Sequence, residues 1–270
     1  FYEEMQNRDP RLAQSIRYPG YTRIGGTKKL APDLQNNVSG YQPIKFLGKE
    51  DKDTHGQSDA DVILFRSAEV LLNYAEAKAE LGTVNQADLD MTVNVLRRRA
   101  GLSTPACQLL ATTTDIDPFL VDPEWGGYRN VSDNGKKAVI LEIRRERNVE
   151  LNQEGFRYFD LMRWKEGQVL TAPMYGMYFP GPGEYDLDHD GTMDVYLYSG
   201  DKGASTAPVT FKLNDEIYLS GQDGLSGMIN KFKNDSQATW NEDRDYLYPL
   251  PLQELRLNTN LVQNPLWPVK

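Results

Sequence analysis

The sequence predicts a mainly α-helical protein whose helices pair into hairpins and carry long loops with a few short strands. Three observations carry this expectation. The stretch after Ser67 is apolar on two helical stripes at once, so a helix there needs neighbours on both sides. A dense run of Glu and Arg at 141–151 places Glu every fourth residue, the spacing of one helix face. Twenty-two glycines and 15 prolines in 270 residues mark long irregular connections between such helices.

Taken in order, residues 13–60 read as loop, punctuated by Pro19-Gly20, Gly25-Gly26, Gly40, Pro43 and Gly48. Ser67 is a good N-cap for the first long helix. Ala68, Leu71, Leu72, Ala75 and Ala79 form one of its stripes, and Val70, Tyr74, Ala77 and Leu81 the other. Gly82 stops it, Asn85 caps the next helix, and Leu89, Val93, Leu96 and Ala100 keep helical spacing up to Gly101. Arg97, Arg98 and Arg99 sit where cations complement the helix dipole. The pair is a helical hairpin, and its two-sided first member suggests hairpins packed side by side as in tetratricopeptide-type arrays.

Residues 102–135 read as loop. Helices follow at about Lys136–Gln153 and Phe156–Glu166, with Gly155 and Gly167 at their ends. The helical core thus spans about 62–166, and the region from about 167 to 245 is loop-rich. There Pro180-Gly181-Pro182-Gly183 separates short alternating runs such as Val195–Tyr198 and Val209–Leu213. A short helix is expected at Leu252–Leu257.

Composition narrows the function classes. Hydrophobic residues make up 39% of the chain, with 15 Tyr, 9 Phe and 4 Trp, enough for a packed core. Thirty basic against 39 acidic residues leave a net charge of −9, which disfavours nucleic acid and anionic membrane surfaces, since both need a positive face. No apolar run reaches the roughly 18 residues of a spanning helix. A single cysteine, Cys107, precludes an intrachain disulfide, and His55 and His189 are too few and too far apart for a histidine-based metal site. The chain starts at Phe1 and reads at once as mid-domain sequence, so a piece of something longer is expected, with any targeting segment upstream.

Three constellations could carry chemistry. Asp186, Asp188, Asp190 and Asp194 occupy positions 1, 3, 5 and 9 of one tight loop whose sixth residue is Gly191. Such carboxylates repel one another unless a cation sits among them, and oxygen donors, with the Thr192 carbonyl at position 7, select Ca2+. Position 12 is Leu197 where an EF-hand has a bidentate Glu, so one structural Ca2+ is expected rather than a sensor site. The competing reading is a solvated Asp-Gly turn.

Second, Glu142, Glu146, Glu150 and Glu154 form a like-charged column flanked by Arg145, Arg147, Arg157 and Arg163, a charge network locking two helices. The alternative makes carboxylates of the 142–154 helix the acid and base of an all-helical glycoside hydrolase or lyase, although so many guanidinium groups hold carboxyls too acidic for that work. Third, aromatics in Gly-flanked loops suit the C–H faces of sugar rings, and Trp125, Tyr128, Tyr175 and Tyr178 are the ligand-contact candidates. Phosphate-loop, dinucleotide, serine-hydrolase and zinc-protease motifs are absent.

Several runs, taken together, resemble the carboxy-terminal half of the SusD/RagB family: Asp9–Leu12, Arg66–Ala77, Ile143–Arg147 through Glu150-Leu151, Glu154–Arg157, Asp160–Trp164, Tyr248–Pro251 and Gln263–Pro265. They occur in the family's order along nearly the whole chain. The resemblance implies a single domain over 1–270, the carboxy-terminal portion of a longer protein, with a tetratricopeptide-like helical core of the SusD type. It implies a non-catalytic, cell-surface nutrient-binding protein of the Bacteroidetes outer membrane, held by a lipid anchor outside this chain. Such a protein delivers an oligosaccharide or polysaccharide to a SusC-type TonB-dependent transporter.

Overall fold

The structure, a computed structural model, describes residues 1–37, 39–235 and 237–268. Its helices are α1 (Tyr2–Met5), α2 (Leu12–Ser15), α3 (Ser67–Glu80), α4 (Gln86–Met91), α5 (Val93–Arg99), α6 (Lys137–Glu150), α7 (Phe156–Arg163) and α8 (Leu252–Leu257). Its strands are β1 (Tyr178–Phe179), β2 (Gly183–Tyr185), β3 (Val195–Tyr198), β4 (Val209–Lys212) and β5 (Gly227–Met228). Two compact units interleave along the chain. One comprises Phe1–Leu71, Asp90–Gln108 and Met174–Asp235, the other Leu72–Leu89, Leu109–Pro173 and Ser236–Lys270.

In the first unit β2, β3 and β4 form a sheet in that order. β2 runs antiparallel to β3, and β3 lies parallel to β4 with Val195 opposite Val209. Strand alternation places Val195 and Leu197 in a core with Leu34, Met177, Phe179, Leu187, Leu213, Leu219 and Ile229, while Tyr196 and Tyr198 stack on the other face 5.6 Å apart. A two-stranded sheet of β1 and β5 adds Phe179 to that core. The loop-like 13–60 segment is pinned by Arg23, which forks onto both carboxylate oxygens of Asp53 and onto the Gly48 carbonyl.

The second unit is centred on α6 and α7. Leu141, Leu161 and Trp164 pack with Leu120 and Tyr128, and Val139, Ile140 and Ile143 are fully buried. Gly155, at φ 85°, makes the turn between the two helices that a side chain would strain.

The helix ends at Gly82, Asn85 and Gly101 follow the sequence, whereas Ser67, expected as the N-cap, is instead the first residue of α3. Gly82 at φ 70° closes α3 with the Thr83 N–H on the Lys78 carbonyl and its own N–H on Ala79, a Schellman motif. Gly101 closes α5 in the same way, with Leu102 bonding back to Arg97. Asn85 and Asp88 cap α4 reciprocally, each side chain accepting the other's N–H at 3.0 Å.

Two expectations differ from what is seen. The helix expected from Asn85 to Ala100 breaks at Thr92, whose φ and ψ of −120° and −95° separate α4 from α5. The apolar spacing survives the break, since Leu89 and Val93 are fully buried and Leu96 nearly so. The expected two-sided packing of α3 is seen on one side. Ala68, Leu72, Ala75 and Ala79 are buried, whereas Val70, Tyr74 and Leu81 are 47%, 43% and 74% exposed. Tyr74 is held by its hydroxyl, which donates to Asp88. Among the described residues, helical segments with 3-10 turns included make up 30% and strands with isolated bridges 9%, so the protein is helical to a modest degree, with irregular chain as its largest class.

Candidate functional site

The acidic loop joins the end of β2 to the start of β3. Asp186 follows β2 directly and Asp194 precedes β3, so strand pairing, reinforced by the Asp194 N–H on the Tyr185 carbonyl, brings them together. The carboxylates of Asp186, Asp188 and Asp194 offer oxygens that all lie within 4.8 Å of one another. Asp190 is not in this group; its Oδ1 accepts the Thr192 N–H at 2.8 Å, and the two Asp186 oxygens accept the N–H groups of Asp190 at 3.2 Å and Gly191 at 2.8 Å. His189 at φ 58° stacks on Tyr2 with centroids 3.9 Å apart. Burial, reinforced by the neighbouring carboxylates, pushes the Asp194 carboxyl up to about 6 although the Leu187 N–H opposes the shift. Burial and the Asp190 charge raise Asp188 as well.

Arginines of the Glu/Arg run, joined by Arg163, enter a network of ion pairs and hydrogen bonds. Arg147, 4% exposed, donates from Nε to Asp160 at 2.6 Å and from Nη1 to the Asn73 side chain at 2.6 Å. Arg163 reaches Asp160 at 2.9 Å and forks onto Glu76 of α3, whose Oε1 also accepts the Trp164 indole N–H at 2.6 Å. Arg144 lies over the Trp164 ring at 4.6 Å and meets Glu166 at 3.3 Å. Glu166, fully buried, also takes the N–H groups of Arg129 and Asn130. Glu146 and Glu150 are 3% and 4% exposed. A general acid or base must meet its substrate. These two residues lie beneath the surface instead.

This network also has a pH signature. Burial raises the Glu76 carboxyl, but the bonds from Arg163 and Trp164 outweigh it and hold the group below its ordinary 4.5. The resulting stabilisation is complete above the unfolded value and is lost as the pH falls through the lower folded one. Melting temperatures between about pH 6 and pH 3 are expected to fall increasingly steeply below about 4.5, and Glu76→Gln to remove part of that slope.

Of the four aromatic candidates, Trp125 and Tyr128 belong to the second unit, Tyr175 and Tyr178 to the first. Trp125 ends a 3-10 turn, Pro123–Trp125, capped by the Asp122 carboxylate on the Glu124 N–H. It is 39% exposed and stacks at 5.9 Å on Phe119, itself 58% exposed. A Cβ at Gly127 would collide with the backbone of Val121 and Asp122, so only glycine permits this tight return. Tyr128 is 6% exposed, edge-on to Trp164 at 5.6 Å, with Arg157 on its hydroxyl at 2.6 Å. Its ring is a packing element. Tyr178 on β1 is 57% exposed and Tyr175 half-buried.

Phe119 was not among the sequence candidates, although Pro118-Phe119 so near Trp125 was the available signal. The sequence also gave no sign of the cavity of about 320 Å³ at the α6–α7 turn, lined by Asn148, Asn152, Gly155, Phe156 and Tyr158 among others. Beside it the hydroxyls of Tyr158 and Tyr248 meet at 2.9 Å.

The comparisons agree with this architecture. The model of the SusD family matches residues 1–267. The crystal structure of a SusD-like protein from Bacteroides fragilis superimposes with a TM-score of 0.56 at 20% identity, over 97% of this chain. This chain spans 39% of the length of that structure. No curated protein matches the chain. With nearly its whole length matched by the family model, and with the motif residues Glu76, Arg144, Arg147, Asp160, Arg163 and Trp164 interlocked in one network, the chain belongs to the SusD family.

Proposed function

We propose that this protein is a non-catalytic, surface-exposed nutrient-binding protein of an outer membrane, that its ligand is an oligosaccharide or polysaccharide, and that it delivers this ligand to a SusC-type TonB-dependent transporter. Family membership supports the nutrient-binding part of this reading. The helices are taken as part of a tetratricopeptide-like core continued in a longer protein. Attachment to the membrane is through a lipid anchor outside this chain. Among the described residues no helix is long and apolar enough to cross a membrane, which suits that mode of attachment.

The observation that carries the glycan reading is the half-exposed Phe119–Trp125 pair, held on two successive 3-10 turns capped by Asp117 and Asp122. Sugar C–H faces stack on such rings, and a flat platform with few hydrogen bonds gives the moderate affinity that a cargo protein needs to release its load. The alternative, a hydrolase or lyase using carboxylates of the 142–154 helix, finds no support in the burial of Glu146 and Glu150.

Calorimetry against a panel of oligosaccharides tests the site. Trp125→Ala is expected to weaken binding roughly tenfold, the upper end of one aromatic contact. Tyr128→Ala is expected to lower the melting temperature with little direct effect on affinity. If a glycan binds and the alanine variants of Trp125, Tyr175 and Tyr178 all hold it like the parent protein, these aromatics are packing and the assignment of the site is wrong.

A further inference from the structure

The clearest unexplained feature in the first unit is Asp188. It is 7% exposed, and its Oδ1 is buried without a hydrogen-bond partner. An ionised carboxylate removed from water costs several kcal/mol unless something compensates it. Here the compensation is not a side-chain donor on that oxygen. The residue instead stands with two further carboxylates, Asp186 and Asp194, whose oxygens lie within 4.8 Å of its own. Three carboxylates so close together, one of them buried with an unpartnered oxygen and offset in charge only by Lys29, make an arrangement that a bound cation would compensate.

We propose that the β2–β3 connection binds one Ca2+ through the carboxylates of Asp186, Asp188 and Asp194, and that the ion clamps the end of β2 to the start of β3. This does not depend on what the protein carries for import. All donors are oxygen, and the one histidine in the loop is committed to Tyr2, so softer metals find no nitrogen or sulfur ligand. Oxygens about 2.3–2.6 Å from a shared Ca2+ lie up to about 5.2 Å apart, and the observed spread falls inside that limit. Mg2+, with bonds of about 2.0–2.1 Å, needs a tighter and more regular set.

The donor set differs from the one that sequence spacing suggests. Asp190 lies outside the converging group of carboxylates, and Leu197, at the position of an EF-hand's bidentate Glu, is fully buried in the core. Three carboxylates leave coordination positions for the Thr192 carbonyl and for water. A site without the bidentate Glu belongs with the weak extracellular modules, at a dissociation constant of about 10⁻⁴–10⁻³ M.

The test is calcium alone, added to the chelator-treated protein and followed by calorimetry and thermal melting. One Ca2+ per chain is expected, with a melting temperature several degrees higher at saturation and a much smaller effect from Mg2+. Asp188→Asn and Asp194→Asn should each abolish the calcium-dependent rise. Asp188→Asn without calcium should melt no lower than the calcium-free parent, because it relieves repulsion, and this shows that the variant is folded. Asp190→Asn should keep its calcium affinity within about threefold, since an Asn oxygen still accepts the Thr192 N–H. A parent protein whose melting is unmoved by about 10 mM Ca2+, ten times the weakest affinity expected, overturns the proposal. So does an Asp188→Asn variant that keeps the full rise, or an equal response to Mg2+.

Discussion

Replacing Arg147 with alanine is expected to destabilise the protein by about 3–5 kcal/mol, the range for breaking a buried ion pair from one side. Arg147 and Asp160 are 4% and 6% exposed and meet at 2.6 Å, so the change strands a buried carboxylate. The same guanidinium holds Asn73 on α3 and lies over the Phe156 ring at 5.6 Å, and both contacts go with it. Arg163 still reaches Asp160 in the variant, which limits the loss, and Arg163→Ala added to Arg147→Ala should therefore cost more than the sum of the two singly. Chemical denaturation of the four proteins in that cycle measures it. An Arg147→Ala midpoint equal to the parent's would show that the network contributes nothing.

The second large effect is expected at Glu166. Glu166→Gln keeps the shape but removes the charge that faces Arg144, and the two groups are fully and 97% buried. It also replaces one of two carboxylate oxygens that accept the Arg129 and Asn130 N–H groups with a donor, so one of these N–H groups loses its partner. The expected loss is again about 3–5 kcal/mol, since Glu80 at 3.4 Å is partly exposed and a poor substitute counter-ion for Arg144. The oligosaccharide affinity of the folded protein should be unchanged. A Glu166→Gln protein that is fully stable but loses a measurable hydrolytic activity would instead argue for catalysis.

What the sequence reveals here is mostly local. Gly82, Gly101 and Gly155 stop or turn helices where their position in the apolar pattern says they should, because the left-handed conformation at a helix end is a single-residue property. Apolar spacing finds the buried face of 89–100 but cannot show the break at Thr92, since Leu89, Val93 and Leu96 are buried on both sides of it. The partners of the arginines are another matter. The column of glutamates is visible as a pattern, yet Arg163 reaches Glu76, 87 residues away, and no spacing rule connects the two. Similarly, four aspartates at positions 1, 3, 5 and 9 of one loop look equivalent in sequence. Only the fold shows that three converge and that Asp190 folds back on Thr192. Tyr128 and Trp125 are three residues apart in one loop, and one is core while the other is half-exposed, a distinction set by Trp164 and Arg157 from a different helix.

The central claim is that the protein binds a glycan without transforming it. The most direct measurement incubates the protein with the oligosaccharide that binds best in calorimetry and follows the sugar by chromatography over many hours at saturation. The account predicts a saturable, reversible complex and a sugar recovered intact and undiminished. Shorter sugars or unsaturated ends appearing in proportion to protein concentration, and lost in a Glu146→Gln variant that remains folded, would contradict it.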